Sequence, residues 1–333
     1  KPDSEELSGR APGRWNERRR SSARRGIVVL PGPVLSGNRP GLATGSKALT
    51  ELTYEATSRT LATAKGPLHY HVAGEGAPLL LLHGSGPGVS GWANFRGNLA
   101  AFSRHFTTYV LDMPGYGGSY SLTGNPFVQT PPAVLDFLDG LGLESLPVVG
   151  NSFGGAMAAR IAADHPGRVS RLVTIGGVGL ALFSPSPAEG LKLLVDFVEN
   201  PTRERLVTWM ESMVYDPAVL TDEFVQLRWD AANDPTALAD LRGLHNRQAL
   251  AAMRHRRGDA ADHVAALSRI EAPTLVTFGR DDRVTPLDSA LVAMRLIAKC
   301  ELHVFYDCGH WAMIERKDEF ESAVLSFLLR DAP

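Results

Sequence analysis

From residue 52 onward the chain alternates between two hydrophobic rhythms. Short β-rich runs at 52–57, 68–72, 79–82, 107–111, 147–149, 172–175, 274–278 and 302–305 predict strands. Between them, apolar residues at helical spacing predict helices over 92–102, 131–138, 153–164, 287–297 and 318–329. Thr130 ahead of Pro131 has the form of an N-cap followed by proline in the first helical position. Runs 79–82 and 147–149 are continuously apolar, as strands covered on both faces must be. Strand–helix alternation of this kind predicts an α/β fold, a mostly parallel eight-stranded sheet flanked by crossover helices.

The alternation stops after Gly177 and strand text resumes only at Pro273. The stretch between is helical, with apolar residues in register over 191–198, 203–214 and 221–232. The expected organisation is a core of residues 47–181 and 267–333 interrupted by a helical cap, or lid, at 182–266.

Composition narrows the class. Of 333 residues, 44% are apolar and 21% charged, enough for a large core and too ordered for global disorder. The net charge of −2 carries no footprint for nucleic acid, and no apolar run approaches the ~20 residues of a membrane span. Charge is uneven, however. Residues 1–46 hold nine Lys/Arg against four Asp/Glu, while the remainder holds 25 against 32. That basic, Pro- and Gly-punctuated segment predicts a disordered extension. Two cysteines, Cys300 and Cys308, form no disulfide framework and fit a reducing, cytoplasmic setting.

The chemistry concentrates in four loops that follow strands. Gly150-Asn151-Ser152-Phe153-Gly154 sits between an apolar run and a helical pattern. This is G-x-S-x-G in the strand–turn–helix setting that presents a serine nucleophile above a sheet. A serine needs a base, and the base an orienting acid, in the chain order Ser, Asp, His. His310, in Asp307-Cys308-Gly309-His310-Trp311 just past the strand run 302–305, is the expected base, at the edge of the sheet where ligands bind. His245, His255 and His263 read as solvated surface. The acid comes from Gly279-Arg280-Asp281-Asp282, where spacing favours Asp282 and leaves Asp281 as the alternative. The oxyanion hole should use the N–H groups of Phe153 and Ser85, the latter in the loop His83-Gly84-Ser85-Gly86-Pro87-Gly88. Gly84 and Gly86 would let that backbone approach a substrate closely. No cluster has zinc spacing and no nucleotide fingerprint stands out, so neither metal nor cofactor is expected.

These residues resemble a known family. HGSGPGVSGWANF (83–95), DMPGYGGS (112–119), GNSFGGA (150–156), GRDDRVTPLD (279–288) and LHVFYDCGHWAMIERKDEF (302–320) are similar to the meta-cleavage product hydrolases, serine α/β-hydrolases that cleave a C–C bond in catechol ring-fission products. The likeness runs from about residue 52 to 329. The text LFSPSPAEGLKLL more loosely resembles a branch acting on steroid-ring fission products. The resemblance implies Ser152, Asp282 and His310 as triad. It also implies Asn94 and Asn151 beside the dienoate, Arg228 on its carboxylate end, and Trp311 as a pocket wall. It implies a small-molecule dienoate as the partner, and a homo-oligomer. The stretch 243–262, with Arg247, Arg254, Arg256 and Arg257, departs from the family pattern. An esterase or lactonase with the same triad, and a non-catalytic receptor on the same fold, are the rival readings.

Overall fold

The structure, a computed structural model, describes residues 52–122, 124–253 and 258–330; the basic segment 1–46 and residues 254–257 lie outside them. The first described element overturns one expectation. Residues 52–57 do not form a strand: Thr53 caps a short helix α1 (Tyr54–Thr57) by accepting the Ala56 N–H. A local side-chain bond to the backbone competes successfully with the β-rich composition there. The sheet starts one step later, with β1 (Ser58–Thr63), β2 (Gly66–Ala73) and β3 (Pro78–Leu82).

Helix α2 (Gly91–Phe102), capped by the Ser90 hydroxyl, leads to β4 (Thr107–Leu111). Helix α3 runs over Pro126–Gly140, five residues earlier than the Thr130–Pro131 signal suggests. Asn125 is its cap, with Pro126 as the first-turn proline, and Pro131 and Pro132 lie inside the helix. Two prolines therefore satisfied the same positional rule, and the one beside the better cap starts the helix. Strand β5 (Leu146–Asn151), helix α4 (Phe153–Asp164) and strand β6 (Val169–Ile175) follow.

Between β6 and the next strand lie α5 (Glu189–Glu199), α6 (Arg203–Ser212), α7 (Asp222–Ala232), α8 (Pro235–Leu244), α9 (Arg247–Met253) and α10 (Gly258–Leu267). Thr202, Thr221 and Asp234 cap α6, α7 and α8 with their side chains. His245 at the end of α8 is not solvated surface. Burial pushes its pKa down to about 4. The chain then returns through β7 (Thr274–Gly279), α11 (Ser289–Leu296), β8 (Cys300–Phe305), α12 (Ala312–Glu315) and α13 (Lys317–Leu328).

The eight strands join in the order β1-β2-β4-β3-β5-β6-β7-β8. The pairs β1–β2 and β2–β4 are antiparallel and every later pair is parallel. Leu79 to Leu82 are fully buried, alternate residues serving the two apolar layers on opposite faces of the sheet. Burial on both faces explains why this central strand reads as an unbroken apolar run. All parallel strands point the same way, so the loops after β3, β5, β7 and β8 emerge along one edge. Among the described residues, no helix is long and apolar enough to cross a membrane.

Candidate active site

Strand β5 ends at Asn151 and α4 begins at Phe153, leaving Ser152 alone in the turn at φ 49°, ψ −112°. Such a conformation costs a non-glycine residue roughly 1–3 kcal/mol and persists only where its surroundings enforce it. Here Ser152 N–H donates to Ile175 O at 2.8 Å, and Ser152 O accepts from Ala156 N–H at 2.9 Å. The helix passes so close to β3 that a Cβ on Gly154 would lie 2.3 Å from Leu82 O. Glycine is therefore the one residue that fits that place in the motif.

His310 and Asp282 arrive from the loops after β8 and β7. His310 Nδ1 lies 2.6 Å from Asp282 Oδ2, and both side chains are buried. The carboxylate is held from every side. Oδ1 accepts Val284 N–H at 2.7 Å and Thr285 N–H at 2.9 Å, and Oδ2 accepts the Thr285 hydroxyl at 2.8 Å. Asp281 points elsewhere and pairs with the half-exposed Arg280 at 3.1 Å. The two adjacent aspartates are thus separated by geometry: Asp282 meets the histidine and Asp281 does not.

Ser152 and His310 face the same turn between β6 and the inserted helices. A Cβ on Gly176 would lie 3.0 Å from His310 Cε1, and one on Gly177 would lie 2.3 Å from Ser152 O. His310 Nε2 has no hydrogen-bond partner, so it makes no hydrogen bond to Ser152 Oγ. In ligand-free sites such contacts are often long and shorten when substrate binds.

The loop after β3 lies against the elbow. A Cβ on Gly84 would be 3.5 Å from Ser152 Cβ and 2.7 Å from Asn151 Oδ1. The orientation of this loop is set by His83, which is fully buried. Its Nε2 accepts Met113 N–H at 2.9 Å, which leaves Nδ1 to donate to Gly84 O at 2.6 Å. Burial holds the His83 pKa below its usual value, as this neutral tautomer requires. Because the peptide is planar and trans, turning Gly84 C=O toward His83 turns Ser85 N–H the opposite way. Neither Ser85 N–H nor Phe153 N–H donates to another described group. Gly86, by contrast, is filled from the insertion: a Cβ there would lie 2.7 Å from the Trp209 ring. Its place is under α6.

Asn94 on α2 donates to Asn151 Oδ1 at 3.0 Å, and Asn151 donates to Ile175 O at 3.1 Å. Asn94 Oδ1 is buried without a partner. Arg228 lies on α7, is 0% exposed, and has no acidic partner among the described residues. Its Nη1 makes one long bond to Pro87 O at 3.3 Å, while Nε and Nη2 have none. The guanidinium stands 5.0 Å over Trp311 and 5.3 Å over Phe224. Desolvation, reinforced by Arg96, pushes its pKa down to about 9, still above neutrality. A buried cation with free donors is a site for an anion. Trp311 is itself buried and packs edge-on against Trp209 and Phe224.

Three contributors carry no signal in the sequence pattern used above. Thr285 bridges Asp282 and His310, approaching His310 Nδ1 to 3.3 Å. An Asp followed three residues later by Thr is a turn signature that could have drawn attention to it. Met213 O accepts His310 N–H at 2.7 Å, and Glu315 accepts Gly309 N–H at 2.6 Å. A cavity of about 550 Å³ lies behind the loop, walled by Tyr54, Trp92, Tyr116, Leu227 and Leu241; its lining includes none of Ser152, His310 and Arg228.

The chain is similar to known proteins over most of its length. Residues 77–317 match the family model described as alpha/beta hydrolase fold. The 2-hydroxy-6-oxo-6-phenylhexa-2,4-dienoate hydrolase of Comamonas testosteroni is 36% identical over 84% of this chain and 99% of its own length. A 2-hydroxy-6-oxononadienedioate/2-hydroxy-6-oxononatrienedioate hydrolase of Pseudomonas sp. is 37% identical over 80% and 93%. Among solved structures, a meta-cleavage product hydrolase from Pseudomonas fluorescens superposes with TM-score 0.74 at 30% identity, covering 81% of this chain and 97% of that one.

Proposed function

The chain belongs to the 2-hydroxy-6-oxo-dienoate (meta-cleavage product) hydrolases of the α/β-hydrolase fold, and from that premise we propose that Ser152, Asp282 and His310 hydrolyse the C5–C6 bond of such a dienoate. The observation that carries the reading is Arg228, a fully buried guanidinium with open donors and no acid. A simple ester has no charge to place there. A dienoate has a carboxylate.

The chemistry follows from the substrate's electrons. A 2-hydroxy-6-oxo-hexa-2,4-dienoate cannot release C5 as a carbanion while C5 is part of the diene. Moving the proton of the 2-hydroxyl to C5 gives the 2,6-dioxo-3-enoate. Electrons of the C5–C6 bond can then flow through C3=C4 to the C2 oxygen. In our reading Arg228 binds the carboxylate and 2-oxo end and stabilises the dienolate in both steps. Asn94, with its unpartnered oxygen, and Asn151 flank the chain. Trp311 walls the carboxylate end beneath the guanidinium.

Ser152, deprotonated by His310, adds to the C6 carbonyl. Phe153 and Ser85 N–H groups receive the oxyanion, and Gly84 keeps the loop close enough to do so. Collapse breaks C5–C6, releases 2-hydroxypenta-2,4-dienoate and leaves an acyl-serine that water hydrolyses to the carboxylic acid. Asp282 holds the imidazole and offsets its charge as it protonates. The helices from α5 to α10 act as the cap that closes over the substrate. The looser likeness of the segment LFSPSPAEGLKLL to the steroid-ring branch supports a polycyclic substituent at C6. The same reading carries a homo-oligomer acting in the cytoplasm. The test is turnover: micromolar protein should bleach a yellow ring-fission dienoate catalytically, and a single slow turnover would favour a receptor instead.

A further inference from the structure

One carboxylate ties the cap to the turn that carries the base. Glu315, the last residue of α12, is half-buried. Its Oε2 accepts Gly309 N–H at 2.6 Å, one residue before His310. Its Oε1 accepts Tyr215 N–H at 2.7 Å and Asp216 N–H at 3.0 Å, in the segment that leaves α6. The same two strands of backbone meet again at Met213, whose carbonyl accepts His310 N–H at 2.7 Å and Trp311 N–H at 3.3 Å. They touch so closely that a Cβ on Gly309 would lie 2.7 Å from Met213 O and from Val214 Cα. The segment 213–216 runs on through the short 3₁₀ turn Pro217–Val219 into α7, which carries Arg228.

Three N–H···O bonds from two separate segments converge on this one carboxylate. Burial acts against the charge and raises the Glu315 pKa, and the three N–H donors oppose that rise. What the arrangement achieves is registration. His310 must meet the C6 carbonyl while Arg228 meets the carboxylate five carbons away, and the two residues belong to separate parts of the fold.

We propose that Glu315 is a positioning residue that clasps the exit of α6 to the His310 turn, so that the cap-borne Arg228 and the core-borne His310 engage one substrate together. The inference rests on the dienoate reading above. It separates substrates by what they need. A dienoate needs both groups; a p-nitrophenyl ester needs only His310.

The experiment compares wild type and Glu315→Gln, each normalised by titration of Ser152 with a fluorophosphonate, so that loss of folded protein does not count. Gln keeps the volume but must aim an N–H₂ at one of the two backbone N–H sets. Misplacement by about 1 Å can cost on the order of 100-fold. The expected result is a fall of about 50-fold in dienoate kcat against about fivefold for the ester. Equal falls for both substrates, or dienoate kcat within twofold of wild type, would overturn the proposal. If Glu315→Gln does not fold, the gentler Glu315→Asp keeps the carboxylate and shortens the reach of the clasp, and the same difference between substrates is expected. A second reading comes from combining Glu315→Gln with Arg228→Gln. If Glu315 acts through Arg228 the dienoate losses are less than multiplicative, and fully multiplicative losses contradict it. A wild-type protein that hydrolyses esters and no dienoate would sink the functional reading itself, a result distinct from any of these.

Discussion

The guanidinium of Arg228 lies 5.0 Å over the ring of Trp311, inside the protein, with no carboxylate among the described residues paired to it. Cation–π contact with Trp311 and Phe224 replaces part of the lost hydration but leaves two donors unmet. A charge held in this state is unfavourable for the folded protein until an anion arrives.

The first prediction is therefore a trade between stability and function. Replacing a buried, poorly compensated charge by an apolar side chain of similar volume commonly stabilises by about 1–4 kcal/mol. Arg228→Met should unfold at higher urea than wild type at pH 7 and lose dienoate turnover. The sign with pH follows from the pKa of about 9, below the unfolded value. The folded protein bears the full cost below about pH 9, and sheds it above as the group loses its proton. The advantage of Arg228→Met should thus hold from pH 7 to about pH 9 and shrink only above it. Lower stability of the variant at pH 7 would show that Arg228 is compensated after all.

The second concerns the paired aspartates. Asp282→Asn removes the acceptor at 2.6 Å from His310 and disturbs the tautomer, so kcat should fall by roughly 10⁴-fold. Asp281→Asn breaks only a partly exposed pair with Arg280, and kcat should stay within about threefold. Steady-state kinetics on any turned-over substrate decides this, and the reverse ranking would reassign the acid.

The third tests how the oxyanion loop is aimed. His83→Phe keeps a buried ring and removes the bond to Gly84 O, freeing the peptide whose N–H belongs to Ser85. Loss of one oxyanion donor costs about 10²–10³ in kcat, and this should appear for dienoate and ester alike with KM little changed. A folded His83→Phe protein with kcat within threefold of wild type would remove His83 from this role.

Much of the fold was legible because its signals are local. The runs 107–111 and 153–164 predict β4 and α4 to the residue, since buried strands and an Ala-rich helix announce themselves in composition. Two boundaries were not legible. Thr53 formed a cap that β propensity does not reveal, and Asn125 outcompeted Thr130. In the site, Ser152 and His310 could be read because their loops carry strong motifs. The choice of Asp282 over Asp281 rested on spacing and is made physical only by the donors of Val284 and Thr285. Gly86 was read toward substrate, whereas Trp209, 123 residues further on, occupies its space. Met213 and Glu315 act through hydrogen bonds between distant parts of the chain, Met213 by its main chain alone, and no side-chain pattern encodes such partners.

The central claim is that this triad works on an anionic dienoate held by Arg228. The most direct measurement is a ratio: dienoate kcat/KM over p-nitrophenyl ester kcat/KM, in wild type and in Arg228→Gln. Leaving the substrate carboxylate buried without its partner should cost roughly 2–5 kcal/mol. The loss should enter kcat as well as KM, because charge grows on the dienolate during the reaction. The ester carries no such charge, so the ratio should fall by about 30-fold or more in Arg228→Gln. A ratio unchanged by the substitution would contradict the account and return the protein to the plain esterases.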